Sequence, residues 1–116
     1  MLKTFKNHAL VAARTIDDKK GEHVVVLDSR KSSPLTDYLV LANANSRPHF
    51  ESLEKAVAAA LAENGLRVHR RAKPQTDAWR VLDFGGLIVH LMSAEARALY
   101  ALEKLHEGAK EIRWRT

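Results

Sequence analysis

The chain contains no cysteine, which excludes disulfides, thiol nucleophiles and cysteine-ligated zinc. No apolar run approaches the roughly 20 residues that cross a bilayer, so a membrane partner is not expected. The start, MLKTFKNHALVAARTIDDKK, lacks the long apolar segment and small-residue cleavage site of a signal peptide. It reads as a folded helix, and a cytoplasmic protein is the expectation. Chemical signatures are equally sparse. The six histidines, at 8, 23, 49, 69, 90 and 106, never fall at the i, i+4 spacing of a helical metal pair, so no metal or other cofactor is expected. No lysine follows a glycine in Walker fashion, and none of the serines sits in a G-x-S-x-G elbow.

What remains is an ordinary folded composition: 116 residues, 46% hydrophobic and 28% charged, enough for one core and one domain covering 1–116. The net charge of +5 favours an acidic partner. Basic residues gather at Arg67, His69, Arg70, Arg71 and Lys73, where they read either as a phosphate-contacting edge or as charges that protect an edge strand from aggregation.

The most informative stretch is Trp79 to Leu105, WRVLDFGGLIVHLMSAEARALYALEKL. Two β-rich runs flank Gly85 and Gly86, which suit a two-residue hairpin turn. The register then opposes Phe84 with Leu87, Asp83 with Ile88, Val81 with His90 and Trp79 with Met92. Alternation puts Arg80, Leu82, Phe84, Leu87, Val89 and Leu91 on a core face, and Trp79, Val81, Asp83, Ile88, His90 and Met92 on a mixed face. On the mixed face Asp83 and His90 are diagonal neighbours: a base with its orienter, or a core-edge histidine fixed by a carboxylate.

Elsewhere, helical spacing of Phe5, Ala9, Ala12, Ala13 and Ile16 predicts a helix over 3–16. Residues 23–28 and 37–42 read as antiparallel strands joined by a short loop. Phe50, Leu53, Val57 and Leu61 mark a second helix that ends at Gly65, and 66–71 reads as an edge strand paired in parallel after a helical crossover. Ser93 caps a final helix whose buried stripe is Ala96, Leu99, Leu102 and Leu105. Arg97, Tyr100 and Glu103 form a polar-aromatic stripe beside it, half of a docking site or plain surface. Trp79, Tyr38 and Tyr100 are either interface anchors or core. Asp28 and Asp37, at strand ends, are either turn caps or a Mg²⁺-binding acid pair. The tail 109–116, with Ile112 and Trp114, is docked or frayed.

The segments LTDYLVLANANS (35–46), WRVLDFGGLIVHL (79–91) and RALYALEKL (97–105) resemble the ribosomal silencing factor family, also called the Iojap family, in order and over nearly the whole chain. That resemblance implies a nucleotidyltransferase-like α/β fold, a five-stranded mixed sheet flanked by helices in a single domain, without transferase activity. It implies binding to the large ribosomal subunit through the ribosomal protein numbered fourteen, so that the small subunit cannot join and translation is repressed. The positions matching the family pattern, and so expected to bind the partner, are Asp37, Tyr38, Trp79, Asp83, His90, Arg97, Tyr100, Leu102, Glu103 and Leu105. A second copy of the chain when free, and ribosomal RNA at the basic edge, are further expected partners. The alternatives are a nucleotide- and Mg²⁺-binding enzyme using Asp28 and Asp37, or a general RNA-binding domain using Arg67 to Lys73. The chain departs from the family pattern at Asn43 to Ser46 in place of T-G-x-S, and at Gly85–Gly86 in place of Gly-Asp. It also has Ala101 in place of aspartate and His106 in place of tryptophan, and it lacks the acidic Glu-Gly pair before Trp79.

Overall fold

The computed structural model describes residues 4–32, 36–68, 70, 71 and 78–115. Helix α1 (Phe5–Asp18) starts where the Thr4 hydroxyl accepts a hydrogen bond from the Asn7 N–H, and it buries Ala9, Ala12, Ala13 and Ile16. Strands β1 (Glu22–Asp28) and β2 (Tyr38–Asn43) pair antiparallel. Helix α2 (Arg47–Glu63) is capped by Ser46, tolerates Pro48 in its first turn, and buries Phe50, Leu53, Val57 and Leu61. Then follow β3 (Arg70–Arg71), β4 (Trp79–Asp83), β5 (Leu87–Met92), α3 (Ala94–Tyr100), α4 (Leu102–Leu105) and β6 (Lys110–Ile112).

The strands form one mixed sheet in the order β3-β4-β5-β2-β1-β6. The five expected strands are present, though the one expected over 66–71 is strand only at Arg70–Arg71 and 66–68 is irregular, and the tail contributes a sixth. It is docked: β6 pairs antiparallel with β1, the Trp114 indole N–H donates to the Val24 carbonyl at 3.1 Å, and Arg14 Nε donates to the Trp114 carbonyl at 2.9 Å.

The pairing expected after the crossover is corrected. β3 runs parallel to β2 in direction but does not touch it; it pairs antiparallel with β4 at the sheet edge. The place beside β2 belongs to β5, in parallel register from Tyr38↔Leu87 to Asn43↔Met92. A crossover dictates direction, not adjacency. The apolar β5 gains more from a central position than the arginine pair of β3, which suits an edge.

The hairpin has the expected register, Trp79↔Met92 through Asp83↔Ile88, and the Phe84 N–H donates to the Leu87 carbonyl. Gly85 has φ +90°, and a Cβ on Gly86 would stand 2.4 Å from the Phe5 ring of α1. One glycine serves the turn and the other admits a helix.

Helices α1 and α2 cover one face of the sheet over Val26, Val40, Leu82, Leu87, Val89 and Leu91. The opposite face holds a smaller core of Leu27, Leu39, Leu41, Met92, Ala96 and Leu102. Met92, expected on the mixed surface, is fully buried there. The continuous final helix is also corrected. It breaks at Ala101, which adopts the left-handed conformation (φ +48°, ψ +53°), and the new turn carries Leu102 inward. Leu99, expected in the buried stripe, is 77% exposed.

Candidate functional site

The mixed face of the hairpin and the α3–α4 corner form one assembly. Strand register brings Trp79 and His90 onto the same face of β4 and β5, where the Trp79 indole N–H donates to His90 Nδ1 at 3.0 Å. An indole is a donor only, so Nδ1 is the unprotonated nitrogen and the imidazole proton sits on Nε2. Burial, and secondarily the nearby His106, push the His90 pKa from 6.5 down to about 4, so the ring is neutral at pH 7. Trp79 also packs on Tyr100 at the end of α3, with ring centroids 4.6 Å apart and planes tilted by 43°. Tyr100 is 52% exposed although one side of it is packed on Trp79.

Arg97 holds this corner in place. Its Nε and Nη2 donate to Glu103 Oε2 at 3.0 and 2.8 Å, and its Nη1 donates to Asn43 Oδ1 at 3.0 Å and to the His23 carbonyl. One guanidinium thus ties α3, α4, β2 and the start of β1 together, across the break at Ala101. The expected stripe of Arg97, Tyr100 and Glu103 therefore divides. Arg97 and Glu103 satisfy each other, and Tyr100 alone faces outward.

The remaining candidate positions separate by burial. Tyr38 belongs to the main core, with the Arg30 guanidinium 5.5 Å from its ring centre, and Leu102 belongs to the smaller core. Asp37 is exposed at the sheet end beside the Gly86 carbonyl, which accepts its backbone N–H at 3.0 Å. Asp83 does not fix His90; its Oδ1 accepts the Gly85 N–H at 2.8 Å and closes the turn, and Trp79 takes the role expected of the carboxylate. The side chain of Leu105 lies outside the described residues. So do His69, Lys73 and the side chains of Arg70 and Arg71 in the expected basic edge, and Leu35 in the first family segment.

Asp28, the candidate partner of Asp37 in a metal site, is committed elsewhere. Arg30 donates to its two carboxylate oxygens at 2.9 and 2.7 Å, and that pairing lowers its pKa from 3.8 to about 2. Among the described residues no three His, Cys, Asp or Glu side chains are grouped as a metal site requires. No helix among them is long and apolar enough to cross a membrane.

Sequence reasoning missed Leu99. Beside Tyr100 it forms the pair of large apolar side chains that, among the described residues, the fold leaves open to solvent. It follows from the break at Ala101, which no glycine or proline marks.

Residues 3–116 match the family model described as ribosomal silencing factor during starvation. The ribosomal silencing factor RsfS of Treponema pallidum is 38% identical over 99 residues, 84% of this chain and 87% of that protein. The mouse protein named mitochondrial assembly of ribosomal large subunit protein 1 is 32% identical over 73 residues, 60% of this chain and 32% of its own length. A crystal structure of a protein from Chromobacterium violaceum superposes with a TM-score of 0.84 at 23% identity, covering 98% of this chain and 94% of that one, and so shares its fold.

Proposed function

The chain belongs to the ribosomal silencing factor family, and from that premise we propose that it docks on the large ribosomal subunit, through the ribosomal protein numbered fourteen, and keeps the small subunit from joining. The observation that carries the docking site is the exposed pair Leu99 and Tyr100, with Tyr100 braced on Trp79. Large apolar side chains held in one orientation lose little entropy on binding, which is what an interface anchor needs. Arg97 and the αL turn at Ala101 supply that rigidity from behind. Asp37 and Asp83 provide acidic groups suited to a basic ribosomal protein. The mouse relative's name, which speaks of the ribosomal large subunit, supports the choice of subunit.

Silencing by this route needs occupancy rather than chemistry. A contact of about 800 Å² per partner is enough for a specific complex, and a domain of this size would obstruct whatever must approach the same surface. The reading as a nucleotide- and Mg²⁺-binding enzyme has less to stand on, because the Asp28 carboxylate it requires is already held by Arg30.

The test is sedimentation of the purified chain with separated ribosomal subunits. Travel with the large subunit and not with the small one is expected. Travel with neither, or with the small subunit alone, would overturn the proposal.

A further inference from the structure

We propose that the cleft between the turn after β1 and the turn after α4 seats a phosphate of an RNA backbone. The cleft lies where two chain reversals meet. Asp28, the last residue of β1, pairs with Tyr38 on one side and with Lys110 on the other, so the segments leaving β1 and entering β6 emerge side by side. The first reverses at residues 29–32, where the Ser32 N–H donates to the Ser29 carbonyl at 3.1 Å. The second reverses at residues 106–109, where the Ala109 N–H donates to the His106 carbonyl at 2.8 Å, and Gly108 (φ +91°) permits the turn. A contact of 3.0 Å between Ser32 Oγ and His106 Nδ1 joins the two turns. The space between them is about 740 Å³ and is lined by Asp28, Arg30, Lys31, Ser32, Glu107 and Lys110 with the turn residues Gly108 and Ala109.

Charge decides what fits there. Asp28 and Arg30 neutralise each other through a two-pronged pair. Among the described residues Lys31 and Lys110 are in no ion pair, although Asp28 also feels the charge of Lys110, and the lining carries three cations (Arg30, Lys31, Lys110) against two carboxylates (Asp28, Glu107). Two ammonium groups and a hydroxyl around an open cleft suit a phosphate, which takes lysine as a point charge. Among the described lining residues none is aromatic, so the cleft offers contact to the backbone, which positions a nucleic acid without reading its sequence. The choice of RNA rests on the ribosome-docking reading; the seat itself rests on the cleft and its charges. It also lies at the β1–β6 end of the sheet order, away from Arg70–Arg71 of β3 at the other edge.

The test uses the full chain and free RNA. Fluorescence anisotropy with a labelled oligouridine of about twelve nucleotides, between 50 and 200 mM salt, gives an affinity and a salt slope. Both lysines are exposed, so the Lys31→Ala/Lys110→Ala double variant should keep its melting temperature. It should bind roughly tenfold more weakly, with the slope of log affinity against log salt reduced by about 0.7, as loss of one neutralised phosphate on a single strand requires. In amide NMR spectra of the wild type, both oligouridine and inorganic pyrophosphate should shift Ser32, Gly108 and Lys110. An unchanged affinity and slope in the double variant would overturn the proposal. Shifts with pyrophosphate but not with oligouridine would show a small-anion seat and overturn it too. Because no ribosomal subunit is present, either failure leaves the docking proposal standing, and failure of sedimentation leaves the seat standing.

Discussion

Acid should destabilise this fold through a single imidazole. His90 is held neutral by burial and accepts the Trp79 indole N–H at Nδ1; a protonated ring cannot accept it. Its pKa is about 4 in the fold against 6.5 ordinarily, so between those values the unfolded chain binds the proton more readily and stability rises with pH. The contribution is complete above pH 6.5 and is lost as pH falls toward 4. Allowing for partial exposure of the ring, the loss between pH 7 and pH 4.5 should be about 2 kcal/mol. Asp28 acts in a lower window: its carboxylate is depressed from 3.8 to about 2, so its stabilisation is lost as pH falls below 3.8. Urea unfolding followed by circular dichroism at several pH values between 7 and 4.5 measures the effect. The His90→Gln variant, whose amide oxygen still accepts from the indole and does not titrate, should be flat over the same range. A wild-type loss under about 0.5 kcal/mol, or a His90→Gln slope equal to that of the wild type, would refute the assignment.

Three further substitutions follow from the packing. Glu54→Leu should cost about 2 kcal/mol in urea unfolding, because it removes the nearly buried carboxylate to which Arg80 Nη1 donates at 2.7 Å. Ala101→Gly should stabilise the chain by about 0.5–1 kcal/mol, since φ +48° strains alanine and not glycine, and a calorimetric melting temperature reads it. Leu99→Ser should leave stability within about 0.5 kcal/mol, because the side chain is 77% exposed, yet weaken binding to large subunits in the sedimentation assay.

The hairpin and its register were legible because two glycines between β-rich runs leave few ways to turn, and alternation then assigns every face. The helical stripes of α1 and α2 were legible for the same reason, a period that only one orientation satisfies. Sheet order was not, because adjacency in a mixed sheet depends on which strands compete for the centre, and the five residues of β4 and six of β5 outcompete the pair Arg70–Arg71. The tail strand was hidden by its length: Lys110–Ile112 is three residues, and it is held largely by Trp114 and Arg14, contacts distant in sequence. At the candidate site, alternation placed Trp79 and His90 on one face but gave His90 the wrong partner, and nothing in the sequence brought Tyr100 against Trp79. It had no means of showing the break at Ala101, because alanine ordinarily continues a helix. That break decides which of Leu99 and Leu102 faces water.

Docking through this corner requires Tyr100 to act as an anchor outside the core. The affinity of the Tyr100→Ala variant for purified large ribosomal subunits, measured beside its melting temperature, tests this most directly. The prediction is binding weakened at least about tenfold with little change in melting temperature. An affinity equal to that of the wild type would contradict it.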